Sequence, residues 1–172
     1  MKSFLVIFLY IFCFTQVLWA QNNENDPYNA SYEFGAQIGN VLPNQVPGAS
    51  EIQPQWGLRM GFGIGGAGTI EFTANAGNGE GVKWKQLSVS ARMDMAIEEL
   101  VGIVYIGGDV TNYETLTQEA KSFGGGHVGG GVLSIISRDL WFRLDMKFNI
   151  NPGTSLFIGG GFTFRFGESG GS

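Results

Sequence analysis

The 172-residue chain contains one cysteine, one histidine and five prolines. The cysteine, Cys13, lies inside the apolar N-terminal stretch, so the rest of the chain has no disulfide, thiol nucleophile or thiolate metal site. No small-residue lipobox precedes it, which argues against lipid anchoring there. A lone His127 and no further thiol give a metal ion little to bind, and no cofactor is expected. The formal charge of −5, or −6 once Lys2 is removed, offers no electrostatic reason for a nucleic-acid partner. Amphipathic helical periodicity is also missing. Glycine is abundant, with 28 residues, but proline is scarce and the apolar pattern regular, which excludes a disordered low-complexity chain.

The first twenty residues, "MKSFLVIFLYIFCFTQVLWA", have a basic start at Lys2, an apolar core from Phe4 to Phe14, and small Ala20 before the polar "QNNEND". This is the pattern of a secretory signal peptide over residues 1–20, cleaved after Ala20. The apolar run is short for a spanning helix, which needs about 20 residues. What remains after cleavage, roughly 150 residues, is one domain by length, and its first stretch, residues 21–31, reads as a polar leader.

Alternation then dominates. Side chains on a strand point to opposite faces with period two. In "LWFRLDMKFNI", Leu140, Phe142, Leu144, Met146, Phe148 and Ile150 share one face, while Arg143, Asp145, Lys147 and Asn149 share the other. The same pattern recurs in "YEFGAQIG", "WGLRMGFGI", "TIEFTANA", "KQLSVSARMDMAI" and "SLFIGGGFTFRF". "LVGIVYIGG" is apolar on both faces, and "FGGGHVGGGVLSII" is glycine-rich. These are eight candidate strands. Between the first two, "NVLPNQVPGASEIQPQ" carries Pro43, Pro47 and Pro54 and reads as a loop, because proline is excluded from central strands. "DVTNYETLTQEAKS" reads as a second long polar loop with room for a helical turn. Keeping Asn149 and Thr163 on one face calls for an odd-length last turn, and three residues within "NPGT" meet this, with Gly153 supplying positive φ.

Periodicity gives two faces but not which one is inside. A water-facing surface would be dense in Lys, Glu and Thr, whereas this polar face is mostly glycine with isolated large ions, such as Arg59 between Gly57 and Gly61. Small barrels fill their interiors with just such alternation of small and large side chains. The ions also nearly balance: Glu33, Glu71, Asp94 and Asp145 against Arg59, Arg92, Arg143, Lys147 and Arg165. Enclosed charges persist only when paired. Turning the apolar face to water would create a patch well beyond what monomers expose. The expectation is therefore an all-β, eight-stranded, antiparallel up-and-down transmembrane β-barrel over residues 32–166, with 167–172 as a short tail and those nine ions as a lumen network. A soluble barrel carrying an apolar ligand is the inverted alternative.

From Tyr32 to Phe166, ending in "GGGFTFRF", the pattern resembles the small eight-stranded outer-membrane β-barrels, similar to the outer-membrane-protein-A-like transmembrane domain. In that family the final aromatic usually ends the chain; here "GESGGS" follows Phe166. The resemblance implies residence in the bacterial outer membrane and outer-membrane lipid as surroundings. It also implies the barrel-insertion machinery as a partner in biogenesis, short turns in the periplasm and long loops outside. An extracellular partner would meet the loops at 40–55 and 109–122, because loops on rigid scaffolds commonly carry recognition.

Some barrels of this size modify lipid A, so catalysis needs a test. A hydrolase needs a histidine, a hydroxyl and an orienting acid within hydrogen-bond reach. His127 in "GGGHVGGG" has no serine or acid beside it in sequence. Neighbouring strands offer Ser88, Ser90 or Asp94, but nothing in the sequence fixes that geometry, and a space-filling role is expected. The glycine runs lack the following helix that a phosphate-cradling loop requires. The lumen ions read as a packed plug rather than an ion-selective pore, since an eight-stranded interior is only wide enough for its own side chains. The expected function is non-enzymatic: a structural or surface-interaction protein.

Overall fold

The computed structural model describes residues 30–46, 52–79, 81–115, 118–150 and 153–168. The proposed signal peptide and most of the polar leader lie outside the described residues. Eight strands follow in chain order: β1 (Ala30–Asn44), β2 (Gln53–Gly65), β3 (Gly68–Gly79), β4 (Val82–Ile97), β5 (Leu100–Thr115), β6 (Gln118–Ile135), β7 (Leu140–Ile150) and β8 (Thr154–Glu168). Each pairs antiparallel with its sequence neighbours, and β8 pairs with β1, closing a barrel.

The register fixes the barrel's shape. Stepping across paired residues from Phe34 leads through Met60, Phe72, Val89, Gly108, Gly126, Ile150 and Thr154. The path returns to β1 at Asn44, ten residues from its start. With strand rise and spacing near 3.3 and 4.8 Å, eight strands and a stagger of ten imply a tilt of about 40°. Ten residues at that tilt rise about 25 Å, the height of a barrel's apolar band.

The faces follow the alternation. Phe34, Leu58, Phe72, Leu87, Val104, Leu144, Ile158 and Phe164 are among the large apolar side chains exposed on the outside. Glu33, Arg59, Glu71, Arg92, Asp94, Arg143, Asp145, Lys147 and Arg165 are all buried within. Inside, two apolar layers enclose the polar ones. Val101, Ile103, Leu133 and Trp141 pack together toward the end of the short turns. Val46, Val82, Trp84 and Tyr113 pack at the opposite mouth, with Phe123 against them. The lower layer explains why "LVGIVYIGG" lacks alternation: Val101, Ile103 and Tyr105 line the interior while Val104 and Ile106 face out.

Three boundaries differ from the sequence reading. Pairing begins at Ala30, two residues into the polar leader, and runs to Glu168, two residues into the tail. The first long loop is shorter than 40–55, since β1 includes Pro43 and β2 includes Pro54. Both prolines sit near strand ends, opposite Ser155 and Asn40, where a missing N–H disturbs the ladder least. The second, 109–122, is a β-hairpin rather than a loop or helical turn. β5 runs to Thr115 and β6 starts at Gln118. Its strands rise beyond the apolar band, so polar residues occupy both faces and leave no hydrophobic period to read. The last turn is as expected: Ile150 pairs with Thr154, leaving three residues between them, and Gly153 has φ of 66°.

Candidate functional site

The lumen is where the chain concentrates its chemistry. Arg92 is the hub of its ionic layer. Its guanidinium donates to Glu33 at 2.6 and 2.7 Å, to Glu71 at 2.9 Å and to Asp94 at 2.8 Å. Arg143 donates to Glu71 at 2.5 Å and lies 2.8 Å from Asp145. Arg165 on β8 reaches across the closing seam to Glu33 on β1 at 2.9 Å, and donates to Asp94 at 2.9 Å. One level higher, Arg59 donates to Asp145 at 3.1 Å and to Gln37, and the Tyr105 hydroxyl donates to Asp145 at 2.7 Å. Eight of the nine ions singled out from sequence thus form one continuous network. Charge-assisted pairs of this kind outweigh neutral hydrogen bonds.

Lys147 is the exception. Among the described residues it has no carboxylate within ion-pair distance; it donates to Gln86 at 2.7 Å and Ser88 at 3.4 Å. Those contacts join it to an amide and hydroxyl layer. Gln37 donates to Asn75 at 2.6 Å, and Gln86 donates to Thr111 and Asn149 at 3.2 and 3.3 Å. Nothing in the sequence marks these neutral contacts, because amides and hydroxyls alternate without charge.

Asp109 was also missed. It lies in the segment read as a loop, but β5 carries it inward, where it is buried. It raises the interior to five carboxylates (Glu33, Glu71, Asp94, Asp109, Asp145) against five cations (Arg59, Arg92, Arg143, Lys147, Arg165) among the described residues. Its partner is His127. The imidazole Nδ1 is 3.0 Å from Asp109 Oδ2, and Nε2 is 2.8 Å from Ser90 Oγ. A carboxylate accepts, so Nδ1 donates to Asp109, and in the neutral imidazole Nε2 then accepts from Ser90. His127 therefore does more than fill space. The three residues have the connectivity of a nucleophile, base and orienting acid.

What this trio lacks is access. The side chains of His127 and Asp109 are 0% exposed. The internal space bordering Ser90, Tyr105 and Lys147 is about 10 Å3, room for about one water. Among the described residues, no group of three His, Cys, Asp or Glu side chains is placed to hold a metal ion.

Inward glycines act as seats for the large groups. A methyl at Gly107 would meet the His127 ring, and one at Gly129 would collide with the Tyr105 ring. Gly129→Ala is expected to destabilise the barrel by about 1–3 kcal/mol through overpacking. Combined with Tyr105→Leu, the loss should fall short of the sum by about 0.5 kcal/mol or more. Urea titrations of the two single variants and the double variant provide the measurement; strict additivity would mean that Gly129 does not seat Tyr105.

No protein-family model and no curated protein matches the sequence. Solved structures do match. The N-terminal β-barrel domain of OprF from Pseudomonas aeruginosa aligns with a TM-score of 0.66 at 13% identity, over 80% of this chain and 98% of that one. Neisserial surface protein A gives 0.65 at 12%, over 78% and 96%. The chain has the fold of the small outer-membrane barrels. A de novo designed transmembrane β-barrel also aligns, with a TM-score of 0.58 at 12% identity, over 80% and 97%. A designed barrel among natural ones makes clear that the likeness is one of architecture. The closed eight-strand wall and antiparallel order are what these proteins share with the chain.

Proposed function

We propose that the protein is a non-enzymatic barrel of the bacterial outer membrane, exported by a cleaved signal peptide, with a structural or surface-interaction role. One observation carries this reading: a closed wall with large apolar side chains outside and ten paired or hydrogen-bonded ions inside. Lipid tolerates only backbone that is fully hydrogen-bonded, and a closed sheet provides that. A soluble carrier of an apolar ligand would need the opposite arrangement, with an apolar hollow and a wettable exterior. The roughly 10 Å3 space beside Ser90 and Lys147 also favours a lumen closed to ion flow.

The Ser90–His127–Asp109 connection favours an acyl-transfer enzyme as the second reading. Against it stands the sealing of all three side chains inside the packed wall, where no acyl group reaches Ser90 Oγ. This burial supports the first reading, with the His127 hydrogen bonds serving to order the interior.

In outer membranes purified from expressing cells, the protein should migrate faster in gels when unheated than when boiled, as closed barrels that resist detergent do. In planar bilayers it should produce no high-conductance steps. Recovery in the soluble periplasm without a heat-dependent shift would overturn the membrane reading. A steady large conductance would overturn the closed lumen.

A further inference from the structure

Lys147 has a donor to spare. An ammonium carries three N–H groups, and among the described residues those of Lys147 reach Gln86 and Ser88. Beside it lies the internal space of about 10 Å3, between the amide layer of Gln37 and the ionic layer of Glu71 and Asp145. Every side chain lining that space carries a polar group except Phe157. Thr73 is buried against it, and among the described residues its hydroxyl has no hydrogen-bond partner. Tyr105 gives its proton to Asp145 Oδ1, which has a second lone pair for another donor.

We infer that this space is a binding site for one ordered water, which accepts the third N–H of Lys147 and bridges it to Asp145 and Thr73. Volume, lining and charge agree on that occupant. A single water needs about 10–15 Å3 and two to four polar partners. Cavities that stay dry are lined by apolar groups, and this one is not. An ion of either sign would meet a like charge on the wall, a cation at Lys147 and an anion at Glu71 and Asp145. A neutral molecule that both donates and accepts meets no such opposition.

The bridge gives Lys147 its counter-ion at one remove. It joins the cation left out of the ionic network to the eight ions within it, and a bridging water is nearly as favourable as a direct hydrogen bond. All the lining side chains are buried, so the water leaves only when the packing around it loosens. Its residence time therefore reports how often the interior opens.

The site depends on the closed interior and not on where the barrel resides. The full-length protein in detergent micelles is studied by NMR cross-relaxation from water to non-exchanging protein protons. The Phe157 ring and the Thr73 methyl should both show contacts of the sign that only a slowly exchanging water gives. Thr73→Ile removes the hydroxyl and fills the space, so the Phe157 contact should disappear. A contact relayed by the Tyr105 hydroxyl would instead survive that change. In urea titrations, the factor by which Lys147→Met changes the unfolding constant should shrink about twofold or more in the Thr73→Ile background. No slow-water contact at Phe157 in the unaltered protein would overturn the site, and that spectrum decides the question even where Thr73→Ile does not fold. A contact that survives Thr73→Ile, or an undiminished effect of Lys147→Met, would overturn it as well.

Discussion

Replacing Arg92 with leucine is expected to cost about 3–5 kcal/mol, a large share of a small barrel's stability, because it strands buried carboxylates. Among the described residues, Arg92 is the one that touches Glu33, Glu71 and Asp94 together. Without it, Glu33 and Asp94 share only Arg165, and Glu71 is left to Arg143. The interior then holds five carboxylates against four cations, with little water to solvate the excess. Urea unfolding in lipid vesicles should show a sharply lower midpoint and a heat-dependent gel shift that collapses at lower temperature. Lys147→Met is the matched comparison, since Lys147 meets Gln86 and Ser88 rather than a carboxylate. It should cost clearly less. If Arg92→Leu proves as mild as Lys147→Met, the ionic layer is packing material of no special weight.

The second large effect lies on the other face. Leu144 is at the middle of β7, points outward, and stands beside Val132 and Gly160 in the pairing. Leu144→Arg places a guanidinium near the centre of the apolar band and should cost about 2–4 kcal/mol in vesicles. Asn112→Arg, outward but above the band on the protruding hairpin, should cost about 0–1 kcal/mol. The difference between the two substitutions is the informative quantity. On a water-soluble barrel both changes would be nearly silent, so equal and small effects would remove the membrane from the account.

Much of this architecture was legible because one rule operates along nearly the whole chain. Strict alternation in "LWFRLDMKFNI" or "WGLRMGFGI" fixes strand and face together, and glycine opposite arginine marks the crowded side. The rule fails where the surroundings change. Above the apolar band, "DVTNYETLTQEAKS" meets water on its outer face, so its strands carry no hydrophobic signal and Asp109 passed for a loop residue. In the lower apolar layer both faces of β5 are greasy, and the period disappears for the opposite reason. The Ser90–His127–Asp109 connection was out of reach on other grounds. Its members come from three strands, 37 and 18 residues apart, and only the pairing register brings them level. Position relative to the apolar band, not propensity, decided what could be read.

The seam between β8 and β1 has a bearing on biogenesis. Arg165 and Glu33, one near each end of the barrel domain, find each other only when the last strand meets the first. On the proposed membrane reading, a partly assembled sheet would before that moment carry both charges, and much of the Arg92 cluster, open to hydrocarbon. Entering the bilayer strand by strand would expose those charges at every intermediate stage. The favourable route is to curl first and enter as the wall shuts, so that charge neutralisation and insertion become a single cooperative event.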